Sequence, residues 1–258
     1  MISKKIHLSV IIPCYNEAAN LDRGVLEQVA KYLGKKDFTY EVIISDDGSS
    51  DNSRKLIESE VKRKGLKNFQ LIENDHGGKP AALLSGLKKA KGEWILFTDM
   101  DQSTPIAELD KLLPFTNDYC TVIGSRGLNR NNFSIYRKLG SVIFLTFRRV
   151  LLLPEIKDTQ CGFKLFKREF LIKAFPELEF FRVKQRTVGW KVTSYDVELL
   201  HILKKNGCKI KEVEVAWHDR DVSKGKGEGV GRYLRESQEM LLQIMRVKVN
   251  DMRGMYNE

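Results

Sequence analysis

The feature that most constrains this chain is the rhythm of its first hundred residues: short β-branched runs alternate with helical ones, and the runs end at polar or acidic clusters. HLSVIIP, His7 to Pro13, is apolar and stopped by proline, and Glu17 to Leu33 then places Leu21, Val25, Leu26 and Val29 at helical spacing. The strand Glu41 to Ser45 leads through Asp46-Asp47-Gly48-Ser49 into a helix from about Asn52 to Lys64. NFQLIEN reads as a third strand, Pro80 to Ala90 as a third helix, and Gly92 to Asp101 as a fourth strand ending in acids. This alternation predicts an α/β fold, a mostly parallel, doubly wound central sheet with helices on both faces. Ligands of such sheets bind at the carboxyl ends of the strands. Asn16-Glu17, Asp46-Asp47 and Asp99-Met100-Asp101 all fall there, so one site can hold all three clusters.

The second half is less regular. A strand at Thr121 to Arg126 precedes a polar loop, an apolar helical stretch from about Ile135 to Leu153, and DTQCGFKLFKREF. YDVELLHILKKNG reads as a helix closed by Gly207, and KIKEVEVAWHD as an alternating edge strand. Glycines at 225, 227, 229 and 231 predict a flexible loop, and Arg232 to Met252 a basic amphipathic helix. The expected organisation is a domain over 1–224, with a nucleotide-binding half at 7–105 and an acceptor half at 106–224, followed by loop and helix at 225–258.

With 42% hydrophobic and 30% charged residues and only 6 prolines, the chain has apolar material for a sizeable core and no disordered bias. Cys14, Cys120, Cys161 and Cys208 form no CxxC pair, so buried reduced thiols and a reducing, cytoplasmic compartment are expected. The longest greasy stretch, Val142 to Leu153, is interrupted by Thr146, Arg148 and Arg149, well short of the ~20 apolar residues of a membrane span.

Asp99 and Asp101 sit two apart just past an apolar strand, so both carboxylates can face one hard cation. With only two protein ligands, that cation would be Mg²⁺ or Mn²⁺ sharing substrate phosphate oxygens. Taken alone, a solvated acidic turn capping the helix start at Ser103-Thr104-Pro105 explains the pair better than a metal does; its position after a buried strand, beside two other acidic strand ends, favours the metal. Asp46 and Asp47 divide between contacting a base or ribose and capping the helix near Asn52. The loop NDHGGKP carries Lys79 ahead of a helix N-terminus and suits a diphosphate, although the P-loop pattern is absent.

The formal charge is +10, from 44 Lys+Arg against 34 Asp+Glu. Tyr119 to Pro154 holds no acid, while Arg126, Arg130, Arg137, Lys138, Arg148 and Arg149 surround an apolar helix, which fits an anionic amphiphile or membrane surface. A nucleic-acid partner is disfavoured, because no recognition motif is present and the acidic clusters would repel phosphates. His76 and His218 read as loop histidines, and there is no GxSxG nucleophile elbow.

In order, SVIIPCYNEAANL, EVIISDDGSSDNS, GGKPAALLSGLKKAKGEWILFTDMDQSTP, GSR, DTQCGFKLF and YDVELL with EVEVAW resemble the family 2 inverting glycosyltransferases of GT-A fold. Among these they are most similar to dolichyl- and polyprenyl-phosphate glucosyltransferases, with the mannosyl branch next. The resemblance covers roughly 7–224. It implies that Pro13, Tyr15 and Glu17 line the nucleotide pocket, that Asp46 and the backbone near Ile44 recognise the base, and that Asp99 and Asp101 bind the metal with Met100 against ribose or sugar. Arg126 and Arg137 would hold the acceptor phosphate, Arg220 and Lys224 would close over the diphosphate, and Asp196 and Glu198 would be candidate sugar contacts. Pro80 in place of glycine, Met100 in place of a small residue and Gln102 in place of leucine depart from the family pattern and bear on the donor sugar.

The function so implied is transfer of a hexose, glucose before mannose, from a UDP- or GDP-sugar to a polyprenyl phosphate at the cytoplasmic membrane face. Membrane contact would be peripheral or through a partner protein, and a homodimer is possible. The alternative is a GT-A transferase to a hydroxyl of a glycan, glycolipid or protein, which needs a base from Asp158, Asp196 or Glu198. A nucleic-acid-binding module and a sugar-nucleotide pyrophosphorylase are remote, the latter because no Gly-rich, Arg-containing loop follows the first strand.

Overall fold

The computed structural model describes residues 7–127, 149, 151–182, 195–220, 222 and 230–256, and within 230–240 the side chain of residue 239 alone. Seven strands of the described residues, β1 (Leu8–Cys14), β2 (Tyr40–Asp46), β3 (Phe69–Glu73), β4 (Trp94–Phe97), β5 (Thr121–Ser125), β6 (Lys164–Lys167) and β7 (Ile210–Glu214), form one sheet in the order β3-β2-β1-β4-β6-β5-β7. The pairs of β1 with β2 and β4, of β2 with β3, and of β5 with β7 are parallel. β6 runs antiparallel to β4 and β5. The expected mostly parallel sheet is present, and β6 was not legible: it is four residues long with a lysine at each end.

The β-branched strands are buried on both faces because helices cover both. In β1, Leu8, Val10 and Ile12 face one core with Val42, Ile44, Trp94 and Leu96, while Ile11 faces the other with Ile43, Ile95 and Phe97. The first core is closed by α1 (Ala18–Leu21), α2 (Val25–Leu33), α3 (Ser53–Lys64) and α5 (Leu109–Leu112). The second is closed by α4 (Lys79–Lys89), α6 (Arg168–Ala174), α7 (Glu179–Arg182), α8 (Tyr195–Lys205) and α9 (Val230–Met252). The single helix expected over Glu17 to Leu33 is two helices. Gly24 adopts φ 71 between them, a left-handed conformation that a helix interior does not accept.

Two of the four cysteines depart from the expected reduced state. Parallel pairing of β5 with β7 brings Cys120 and Cys208, 88 residues apart, into a disulfide, whereas Cys14 and Cys161 are buried free thiols. Sequence spacing does not see this pair because it depends on a strand pairing between distant segments. No helix of the described residues is long and apolar enough to cross a membrane. Arg137, Lys224 and the apolar stretch up to residue 148 lie outside the described residues. The end of that stretch, Leu152 and Leu153, is buried in the second core.

Candidate active site

The loops after β1, β2 and β4 meet at the carboxyl edge of the sheet. After β1, Asn16 turns at φ 55, and its Oδ1 accepts the Ser50 and Asp51 amides at 2.8 and 3.3 Å. The Asn16 and Glu17 amides donate to Ser49 Oγ and Ser53 Oγ at 2.9 and 2.8 Å. The YNE and DGSSDNS turns are therefore laced into one rigid edge. Tyr15 stacks on His76 with ring centroids 4.3 Å apart, Pro13 is half-buried opposite Ser45, and Glu17 accepts from Asn20 Nδ2 at 2.5 Å.

Of the two acids after β2, one of which was expected to cap the helix near Asn52, neither does. Asp51 does, accepting the Ser53 amide at 2.9 Å. Asp46 is fully buried; its Oδ2 takes the Gly48 and Ser49 amides at 3.1 Å each and Arg54 Nε at 2.6 Å, while its Oδ1 has no hydrogen-bond partner. Asp47 braces the glycine loop, with one oxygen 2.9 Å from the Gly77 amide and the other 2.9 Å from the Gly78 amide. Those amides, expected to suit a diphosphate, are thus spent on Asp47.

Lys79, the first residue of α4, reaches across to Asp99 Oδ1 at 2.5 Å. Burial would raise the Asp99 carboxyl; the Lys79 charge and hydrogen bond, with Lys164 and Arg126 beyond, overcome it and hold the pKa below the ordinary carboxylate range. Asp101 Oδ1 accepts the Ser103 amide at 2.7 Å. Met100 is 1% exposed and belongs to the core that contains Ile106 and Leu109, so its side chain does not lie against a ribose or sugar. The turn after β4 leaves the two acids lining the cavity and the methionine in the core. Ile44 is buried as well, and its backbone lies within the sheet between β1 and β3.

Asp99 and Asp101 line a cavity of about 220 Å³ together with Arg126, Gln160, Trp217 and Asp219. Arg126 is clamped by Asp158, with Nε 2.7 Å from Oδ2, Nη2 2.9 Å from Oδ1 and the backbone amide 3.0 Å from Oδ2. Its guanidinium lies over the Trp217 ring at 5.8 Å. The segment carrying Trp217, Asp219 and Arg220 is pinned to the turn after Asp101. The His218 amide donates to Ser103 O at 2.8 Å and the Arg220 amide to Ser103 Oγ at 3.3 Å.

The structure brings in groups that were not expected. Lys164 is 1% exposed and bonds Asp196 Oδ1 at 2.6 Å, on a strand adjacent to Asp99. Gly162 lies so close to Asp99 that an added Cβ would stand 1.9 Å from Oδ2. The signal available for Lys164 was a lysine set between phenylalanine and leucine in GFKLF, an inward charge in an apolar run. Glu198 is not a sugar contact. It is buried on α8, where it accepts the Glu179 amide and the Tyr256 hydroxyl at 2.8 Å each. Asp196 is held by Lys164 and does not line the cavity.

The residues present fit a divalent cation of one kind. Asp99 and Asp101 face one cavity that Asp219 also lines, and no group of three His, Cys, Asp or Glu among the described residues forms a protein-only cage. Such a set suits Mg²⁺ or Mn²⁺ that keeps substrate and water oxygens, and Lys79 already places positive charge on Asp99.

The glycosyl transferase family 2 model matches residues 9–175. The chain is 34% identical over 235 residues to the dolichyl-phosphate beta-glucosyltransferase of Dictyostelium discoideum, covering 85% of this chain and 68% of that protein. It is 33% identical over 236 residues to the human dolichyl-phosphate beta-glucosyltransferase, covering 84% and 69%. Its fold is similar to that of glucosyl-3-phosphoglycerate synthase from Mycobacterium tuberculosis, solved with Mn²⁺, UDP-glucose and phosphoglyceric acid. The TM-score is 0.61 at 17% identity, over 94% of this chain and 80% of that one. The acidic strand ends, the sheet order and these similarities converge: the chain is a glycosyltransferase of GT-A fold and belongs to glycosyl transferase family 2.

Proposed function

We propose that this enzyme transfers glucose, with inversion, from UDP-glucose to a dolichyl-type polyprenyl phosphate at the cytoplasmic face of a membrane. One observation carries the acceptor class. The three carboxylates expected as base for a hydroxyl acceptor are already bonded: Asp158 by Arg126 at both oxygens, Asp196 by Lys164, and Glu198 by the Glu179 amide and Tyr256. A phosphate monoester, with its second pKa near ~6, is already a dianionic nucleophile at neutral pH and needs no base. The names of the similar dolichyl-phosphate beta-glucosyltransferases support glucose and the β product.

The difficulty of this reaction is bringing one phosphate anion up to another, and the cavity answers it with fixed cations. Arg126, oriented by Asp158 and Trp217, would hold the acceptor phosphate, joined by Arg137. Lys79 would put its charge beside the leaving diphosphate, and Arg220 and Lys224 would close over it. Asp99 and Asp101 would hold Mg²⁺ or Mn²⁺, which supplies charge neutralisation to the departing nucleotide. Tyr15, stacked on His76, with Pro13 and Glu17, would form the wall for the nucleotide. Asp46 Oδ1, buried without a hydrogen-bond partner, would be the acceptor for a base N–H. Because Arg126 and Lys79 are held before substrate arrives, these two cations need not reorganise during the reaction.

The test is transfer of labelled sugar into the organic phase by purified protein with Mg²⁺ or Mn²⁺, a short polyprenyl phosphate and a panel of UDP- and GDP-hexoses. Lipid product from UDP-glucose, lost in Asp101→Ala, is expected. Product from GDP-mannose alone would overturn the donor, and slow nucleotide release without lipid product from any donor would overturn the acceptor.

A further inference from the structure

The helix α9 has two faces of opposite character. Gln243, Ile244, Val247 and Asn250 are buried against the domain. On the other face Leu242, Met245, Val249 and Met252 are 68, 48, 39 and 77% exposed, and their spacing of three and four residues makes one continuous apolar stripe. Four large apolar side chains left in a row on a helix whose opposite face is buried call for an occupant.

The flanks select it. Arg246 and Arg253 border the stripe on one side, and Lys248, half-buried, lies on the other. Arg246 pairs with Glu179 at 2.6 Å yet leaves 44% of its side chain exposed. Asp251, the only acid from residue 240 to residue 253, turns away to Lys205 and His201. A second copy packed on this stripe would set these cations against their own equivalents in a helical pair, where like charges repel. An anionic lipid surface accepts both the apolar stripe and its basic border.

We infer that α9 is a membrane-docking surface: the Leu242, Met245, Val249 and Met252 face enters the headgroup boundary of an anionic bilayer, and Arg246, Lys248 and Arg253 meet lipid phosphates. The inference rests on the lipid-acceptor reading above only in giving that contact a purpose. The enzyme would rest at the surface where a polyprenyl phosphate presents its head, held by a face distinct from the cavity at Asp99 and Asp101.

The test is co-sedimentation of the full chain with phosphatidylcholine vesicles, with and without phosphatidylserine, for the wild type and a Leu242→Gln/Met252→Gln variant. Both positions are exposed, so the thermal melt is expected to stay put. The wild type should bind the anionic vesicles, release as salt rises, and bind at least about tenfold more tightly than the variant. Equal binding of the two proteins, or no vesicle binding by the wild type, would overturn the surface. Concentration-dependent self-association in sedimentation velocity, lost in the variant and unaccompanied by vesicle binding, would give the stripe to a second copy instead. Transfer to a short polyprenyl phosphate in detergent is expected to be the same in both proteins. Vesicle binding as described with no sugar transfer would leave the surface standing and remove the proposed function.

Discussion

Gly162 has no side chain because the Asp99 carboxylate takes the space, and a Cβ there would stand 1.9 Å from Oδ2. Asp99 cannot yield freely, since Lys79 holds its other oxygen. Gly162→Ala should therefore push the carboxylate out of register with Asp101. We expect kcat to fall at least about tenfold, with a stability loss of about 1–3 kcal/mol from overpacking, read by initial rates and urea unfolding. Wild-type kcat in this variant would mean that Asp99 is not needed where it stands. At this scale the sequence exposed the acids and hid their neighbours. Asp99 and Asp101 were legible because they follow an apolar strand and stand beside two other polar strand ends. Gly162, Lys164 and the clamp of Asp158 on Arg126 were not, because each depends on which distant segment lies beside it. Met100 misled for a related reason: its place in a family pattern says nothing of which way an alternating chain turns its side chain.

Among the elements, the parallel half of the sheet was legible because β1, β2 and β4 carry short apolar runs, VII, VII and WILF, followed by turn residues. β6 was missed because four residues with lysines at both ends carry no usable period, and its antiparallel insertion decides what surrounds Asp99. The packing of α9 on α8 was equally hidden, and Glu198 shows its consequence. Burial raises the Glu198 carboxyl above its ordinary 4.5, even though the Glu179 amide and Tyr256 hydroxyl favour the charged form. Between the unfolded and the raised folded value, the folded state holds the extra proton. The contribution of Glu198 is thus fully present below about 4.5 and is lost as pH rises through the folded value. Glu198→Gln keeps an acceptor oxygen and removes the titration, so the variant should gain stability relative to the wild type as pH rises from about 4.5 towards 7. Melting curves whose difference stays constant over that range would contradict the assignment.

On the scale of the molecule, charge is sorted by place. A chain of formal charge +10 concentrates carboxylates at the strand ends, covers them with Lys79, Lys164 and Arg126, and leaves a basic border along α9. Net charge and the acid-free segment from Tyr119 to Pro154 made an anionic partner legible in the sequence. They did not reveal that Asp158 and Asp196 would already be paired, a pairing that favours the proposed phosphate acceptor over a hydroxyl. The central claim is that the acceptor phosphate is its own nucleophile. The measurement that tests it most directly is the pH dependence of kcat/KM with a short polyprenyl phosphate, in the wild type and in Asp158→Asn. The account predicts a single step near the acceptor's own second ionisation, at about 6, followed by a plateau that Asp158→Asn lowers without moving the step. A step that lies elsewhere and disappears in Asp158→Asn would make that carboxylate a general base and contradict the account.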